Sequence, residues 1–381
     1  MNKKSFILVI LLLLSTRYSV FAQDQKKLEQ LIKTANVEMY ENPEKVISTG
    51  LKIIQLSKNN IDLKIKAYKL VSDGYSSKRE YQKSLKYLIK ALELLPKSED
   101  KLLKISIDTK AGIQYHQLNI YQSAITYLDR AEKMCLEYPV QDSVSSFLGV
   151  NYVVRGFIYK EKLNCDIAIS FFDKGIKALS YNNKKNENAT KISIAKYNKG
   201  NCYLLLEENG LAEQSFKEAL KGAKSVNAKS LEAFALKGIA QIHTFNGAYA
   251  DAISELNQAY YIAKNVNDLV LNQEIYLGLS VNYLAINQPE KYKEYQQKFI
   301  QTQTKLKENE RASIENLLQE NYNNLENKAK SDLSNFWILV FLVLTISIPL
   351  ITFIINKKTN TNIKELKAKI NEINSNFSSL I

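Results

Sequence analysis

The chain has 381 residues, 45% of them apolar, with 12 glycines and 5 prolines against 23 tyrosines, a composition that supports a packed protein and excludes a disordered or loop-rich one. Lysine and arginine outnumber aspartate and glutamate by 52 to 39, a formal charge of +13. The basic residues are spread thinly, which describes a solvated basic surface and not a nucleic-acid-binding arm.

Residues 1–22 read as a secretory signal. Lys3 and Lys4 supply the charged end, Phe6 to Leu14 is an unbroken apolar run, and Val20 and Ala22 are the smaller residues that predict cleavage before Gln23. Leu28, Leu31, Ile32 and Ala35 predict a helix over Leu28–Met39. Asn42-Pro43 starts the next helix, with proline in the first turn, and Val46, Gly50, Ile53 and Leu56 mark its inward side.

A regular pattern follows. Between Lys110 and Ala131, Ala111, Gly112 and Tyr115 cluster on one helix, and Tyr121, Ala124, Leu128 and Ala131 on a second. Small residues at Gly112, Ala124 and Ala131 let two backbones approach, and the larger ones fill the space around them. Such a hairpin cannot bury both faces alone and needs neighbours of its own kind. These exist: the small residue of the second helix recurs at Ser84, Ala124, Ala168, Ala212 and Ala252, at intervals of 40, 44, 44 and 40 residues. Asn182–Asn188 is the longest polar break and predicts an extended loop between units. A degenerate last unit has Tyr276, Leu279, Ser280 and Tyr283 on one helix and Pro289, Tyr292, Tyr295 and Phe299 on the next.

Residues 301–335 are rich in Glu, Asn and Lys and predict a helical stalk. Phe336–Ile355 carries no charge, and about 20 such residues are what a helix needs to cross the hydrocarbon core. The span is therefore placed at 336–356, with Trp337 as an interfacial anchor, Lys357 and Lys358 on the far side, and Pro349 as a candidate kink. The tail, 357–381, holds five lysines against two glutamates, the balance of a cytoplasmic flank. In it, Ile363, Leu366, Ile370, Ile373, Phe377 and Leu380 step by three and four, the seam of a short coiled coil and a candidate dimer contact. An amphipathic helix lying on the inner leaflet is the alternative.

The repeating hairpins resemble the tetratricopeptide repeat, whose unit is about 34 residues, over roughly residues 40–300. They depart from that pattern at Lys199, Gly175 and His243. The resemblance implies an all-α superhelical solenoid over 23–300, with the first helices lining a concave groove for a protein or peptide. Carried along the register, that inner face falls on Lys66, Lys69, Asp73 and Ser76, then Thr109, Ile113 and His116, then Val153, Phe157 and Lys160. It continues through Tyr197, Asn201 and Leu204 to Lys237, Gln241 and Thr244. With four lysines, it suits a peptide bearing an acidic group or a free carboxylate.

Catalytic motifs are missing from the sequence. His116 and His243 are the only histidines and have no ligand-spaced partner, and no phosphate-binding loop, zinc-protease or serine-elbow motif occurs. Cys135, Cys165 and Cys202 fit no zinc spacing. They read as small apolar filler, with a Cys165–Cys202 disulfide as the alternative in an exported domain. The expectation is therefore a non-enzyme without cofactor or metal, anchored by one span in the inner membrane. Its repeats lie outside and its C-terminus in the cytoplasm, and an uncleaved signal would leave the repeats on the same side. The layout resembles membrane tetratricopeptide sensors of Bacteroidota-type bacteria, which usually continue into a LuxR-type helix-turn-helix or a histidine kinase. The readings that follow are a signalling receptor, a static envelope scaffold, or a truncated regulator.

Overall fold

The structure, a computed structural model, describes residues 25–36, 38–39, 42–57, 60–184, 186–264 and 268–378. The predicted signal at 1–22 and the seam residue Leu380 lie outside them. The described residues form two compact units, one reaching Glu310 and one starting at Arg311.

The first unit is a succession of helices without strands among the described residues. It begins with α1 (25–36), α2 (Pro43–Leu56), α3 (Ile61–Ser77), α4 (Tyr81–Leu94), α5 (Lys101–Gln117) and α6 (Tyr121–Leu136). It continues with α7 (Gln141–Glu161), α8 (Cys165–Leu179), α9 (Ala189–Leu205), α10 (Asn209–Ser225), α11 (Lys229–Phe245), α12 (Tyr249–Ala263), α13 (Leu269–Ala285) and the first turns of α14 (Pro289–Ser378). Odd-numbered helices pair with the even ones that follow them. The helix expected over Leu28–Met39 ends at residue 36, with Met39 in a turn. Leu56, expected to face inward, is 47% exposed, because α2 buries Val46, Ile47, Gly50 and Ile53 instead.

From α3 onward every hairpin closes in the same way. Arg79, Asn119, Leu163, Glu207, Gly247 and Asn287 each stand in the left-handed region, with φ between 57° and 74°. The next residue's N–H then donates back to a carbonyl of the preceding helix, at Tyr75, Tyr115, Tyr159, Tyr203, His243 or Tyr283, over 2.8–3.0 Å. This is the Schellman closure of a helix end, which satisfies carbonyls that the helix itself leaves unpaired. Five residues past each of the first five of these left-handed residues come Ser84, Ala124, Ala168, Ala212 and Ala252, all fully buried. The turn thus delivers the small residue to the point where the two helices touch.

Large side chains fill the remaining space. Phe216 of α10 is fully buried and lies between two glycines: a Cβ at Gly200 or at Gly238 would come within 2.6 Å of its ring. One ring therefore holds α9, α10 and α11 together. The predicted loop at 182–188 is anchored at its last residue. Asn188, 3% exposed, donates to the Leu179 carbonyl at 2.9 Å and to Ser146 Oγ at 3.0 Å. Arg79 Nη2, in the α3–α4 turn, meets Asp268 Oδ2, at the N-cap of α13, at 3.1 Å, so the array curves enough for these two turns to touch.

The second unit consists of the rest of α14. The predicted stalk, span and tail form one helix, with Pro349 inside it. The stretch Ala329–Asn371 is long and apolar enough to cross a membrane, and none of its apolar window is buried. Ile363, Leu366 and Ile370 are exposed, while the side chains of Ile373 and Phe377 lie outside the described ones.

Candidate functional site

The first helices of successive hairpins stand side by side, and their inner faces are joined by polar contacts from each helix to the next. Lys66 Nζ on α3 reaches Glu29 Oε1 on α1 at 3.1 Å. Asp73 of α3 meets Lys69 of its own helix at 2.6 Å and Lys110 of α5 at 2.8 Å. Ser76 donates to Gln117 at 3.2 Å, and His116 Nε2 lies 3.2 Å from Glu161 on α7. Lys160 donates to Asn198 on α9 at 2.6 Å. Between α9 and α11 the link is aromatic, with Tyr197 and Phe234 centroids 5.6 Å apart and Lys237 Nζ 5.5 Å above the Tyr197 ring. Lys237 then pairs with Glu274 on α13 at 2.8 Å, and Thr244 donates to Asn282 at 3.0 Å.

Electrostatics follow from this ladder. Burial alone would raise the Asp73 carboxyl, but Lys69 and Lys110 outweigh it and hold the group at about 2. Burial pushes Lys160 below its ordinary value, and the neighbouring Lys237 adds to the effect. Burial likewise pulls Lys237 down, but Tyr197 and Glu274 reverse the sign and leave it raised. Burial keeps His116 below its usual value despite Glu161. At the α1 end, a cleft of about 270 Å³ opens between Ile32, Asn36, Lys66, Lys69, Asp73 and Ser106. Among the described residues no group of three or more histidine, cysteine or acidic side chains is placed to hold a metal ion.

No family model matches the chain. Over 113 residues it is 28% identical to tetratricopeptide repeat protein 29 of Macaca fascicularis and 26% identical to that of Homo sapiens. These alignments cover 30% of this chain and 23% of each relative, so the chain spans less than a quarter of their length. Among solved structures, the apo quorum sensor NprR of B. thuringiensis aligns with a TM-score of 0.55 at 14% identity, covering 77% of this chain and 82% of that one. A Rap protein complexed with Competence and Sporulation Factor aligns at 0.54 and 11% identity, over 73% and 76%. A signal-transduction ATPase from Pyrococcus horikoshii with a tetratricopeptide repeat sensor aligns at 0.54 and 17%, over 72% and 41%. The array has a tetratricopeptide-repeat-like solenoid fold.

In this solenoid three of the residues expected to line a groove, Thr109, Val153 and Lys237, are closed off, each at most 7% exposed. Val153 is 6% exposed and packs against the backbone at Gly175, where an added Cβ would lie 2.8 Å from it. It is a core residue and not a groove residue. Thr109 is 4% exposed, and its hydroxyl has no partner. The groove is also less basic than its lysines suggest: Lys66, Lys69 and Lys237 are each paired with a carboxylate. Lys160 is held by the neutral amide of Asn198 instead, with Phe157 under its ammonium at 6.0 Å. Ile113, Asn201 and Gln241 are partly exposed beside it in the series. The partners that sequence reasoning missed are Glu29, Gln117, Glu161, Asn198, Glu274 and Asn282. Their signal was a complementary residue 37–45 positions away, close to one repeat.

The cysteines are all buried and free. Cys165 opens α8 and shares a buried core with Cys202 on α9, and burial drives Cys202 far above the usual thiol range. Burial pushes Cys135 up to about 11. Thiols so shielded are poor nucleophiles.

Proposed function

We propose that this chain is a non-catalytic, membrane-anchored binding protein whose solenoid takes a protein or peptide carrying an acidic group. The observation that carries this is Lys160: a half-buried ammonium in the middle of the groove, beside Phe157, and held only by an amide. A carboxylate there would gain a charge-assisted hydrogen bond in a partly desolvated site. Fold neighbours point the same way, since a Rap protein is seen with Competence and Sporulation Factor and NprR is a quorum sensor.

The repeats face the outside of the inner membrane, directed there by the signal at 1–22, and Lys357 and Lys358 lie in the cytoplasm. Two tails pair through Ile363, Leu366 and Ile370, and a ligand that favours one arrangement of the pair carries a signal inward. A static envelope scaffold is the second reading. The ladder that pins the groove side chains favours it, because a pinned groove offers a fixed surface.

The test uses the full chain in lipid nanodiscs with fluorescent acidic peptides. Binding is expected to weaken about tenfold in Lys160→Gln and to fall when the peptide carboxylates are amidated. Equal binding of neutral and acidic peptides overturns the reading. A reporter fused near residue 200 tests the location, and activity confined to the cytosol overturns that part.

A further inference from the structure

The tail seam does not stop at Ile363. Stepping back by four and three along the same continuous helix gives Thr359, Asn356, Thr352, Pro349 and Thr345. The uncharged run Phe336–Ile355 has few residues that are not apolar: Thr345, Ser347, Pro349 and Thr352. All but Ser347 fall on this register, and Ser347 is on the opposite side of the helix. No seam position from Ile338 to Leu380 is charged, although the tail carries five lysines and two glutamates.

We propose that α14 pairs in parallel with α14 of a second copy of this chain, along one seam that is apolar in water and hydroxyl-bearing within the membrane. The proposal deepens the tail pairing above and rests on it. The change in chemistry along the seam is what two solvents demand. In water an apolar stripe drives helices together. In hydrocarbon it gains nothing over lipid, and association depends on close packing and interhelical hydrogen bonds, so pairing faces carry small and hydroxyl residues.

An independent feature points to the same face. Pro349 has no N–H, so the Thr345 carbonyl loses its ordinary donor four residues on. At bilayer depth no water replaces that donor, and an unpaired carbonyl is costly. The seam hydroxyls of the same helix are engaged elsewhere: Thr345 donates to the Leu342 carbonyl at 2.9 Å and Thr352 to the Pro349 carbonyl at 2.8 Å. A parallel copy brings Thr345 and Thr352 to the same depth; because the Leu342 and Pro349 carbonyls keep the backbone N–H four residues on, a seam hydroxyl can turn from its own helix and supply the donor across the seam. A second copy is the occupant because, set in parallel, it necessarily switches from hydroxyl to apolar at the same height. A period held at three and four also implies a left-handed supercoil, the hand most common among paired transmembrane helices.

The test is a cysteine scan of the full chain in membranes, with the unaltered chain as background. Oxidative cross-linking should give a species of twice the chain mass from cysteines at Thr345, Thr352 and Asn356, and little from Ser347, Leu350 and Ile354. A flat pattern, a maximum at Ser347, or an adduct of another mass overturns the proposal. In energy-transfer measurements on the same membranes, Thr345→Val and Thr352→Val should each weaken association about threefold, and no change overturns the hydrogen-bonding part. Cysteines at Ile363 and Ile370 separate the two readings. If they link and the span positions do not, the span seam fails alone; if none links, the tail pairing fails with it.

Discussion

Gly238→Ala tests how the solenoid is held at its most crowded point. A Cβ at residue 238 would lie 2.6 Å from Phe216 Cδ1, so the ring must move. It cannot retreat freely, because a point 2.6 Å from Cε1 is where a Cβ at Gly200 would stand, and the α9 backbone is just behind. Overpacking of this kind costs about 1–3 kcal/mol, and the better helix propensity of alanine returns about 1 kcal/mol. The net is a loss of up to about 2 kcal/mol, felt in α9, α10 and α11. Gly210→Ala is the control, since nothing lies within 4 Å of its added Cβ. Hydrogen exchange of the full chain in nanodiscs reads the effect helix by helix, as repeat arrays lose protection locally. Exchange should quicken in α9–α11 for Gly238→Ala and not for Gly210→Ala. Adding Phe216→Leu should then cost less than it does alone, by about 1 kcal/mol or more of coupling. Unchanged protection in Gly238→Ala, or strict additivity, would refute the reasoning.

Two further outcomes can be checked on the same preparation. Leu163 is 82% exposed at φ 57°; Leu163→Gly removes about 1–2 kcal/mol of left-handed strain against about 0.5–1 kcal/mol of added chain entropy, so the α7–α8 turn should become slightly more protected. Asp73 is held at about 2 in the folded chain, below its value of 3.8 when free, so its contribution is complete above about pH 5 and is lost as pH falls through 2. Asp73→Asn should abolish that acid dependence and destabilise α3 and α5 by about 2–4 kcal/mol, because Lys110 is left buried without its carboxylate; an unchanged acid profile would argue against the ion-pair account.

The hairpin cores were legible in the sequence because packing there depends on residue size at fixed spacing. Ser84, Ala124, Ala168, Ala212 and Ala252 stand out by spacing and size alone, and all are fully buried. The groove was harder to read. Whether a first-helix residue faces inward depends on a few tens of degrees of rotation, which each repeat sets through its own core. Val153 shows this: the register placed it in the groove, but Gly175 stands where alanine is usual and leaves room for Val153 to turn inward. The lysines misled for another reason. Charge is visible in sequence, but neutralisation requires knowing which residue one repeat away lies opposite, as Glu274 does for Lys237. The C-terminal helix was cut by composition into stalk, span and tail, whereas its backbone is continuous, because a helix satisfies its own hydrogen bonds in water and in lipid alike.

The uniform left-handed turn has a consequence for how such a chain can change over time. Those turns are separated by 40, 44, 44, 40 and 40 residues, yet the path from each turn into the second helix is the same, so all variation in length falls elsewhere in the module. Two genetic breaks at matching points, one after Asn119 and one after Leu163, would excise a whole module and rejoin ends of like geometry. Growth or shrinkage by recombination can therefore proceed in whole modules, altering the reach of the array while every junction keeps its shape.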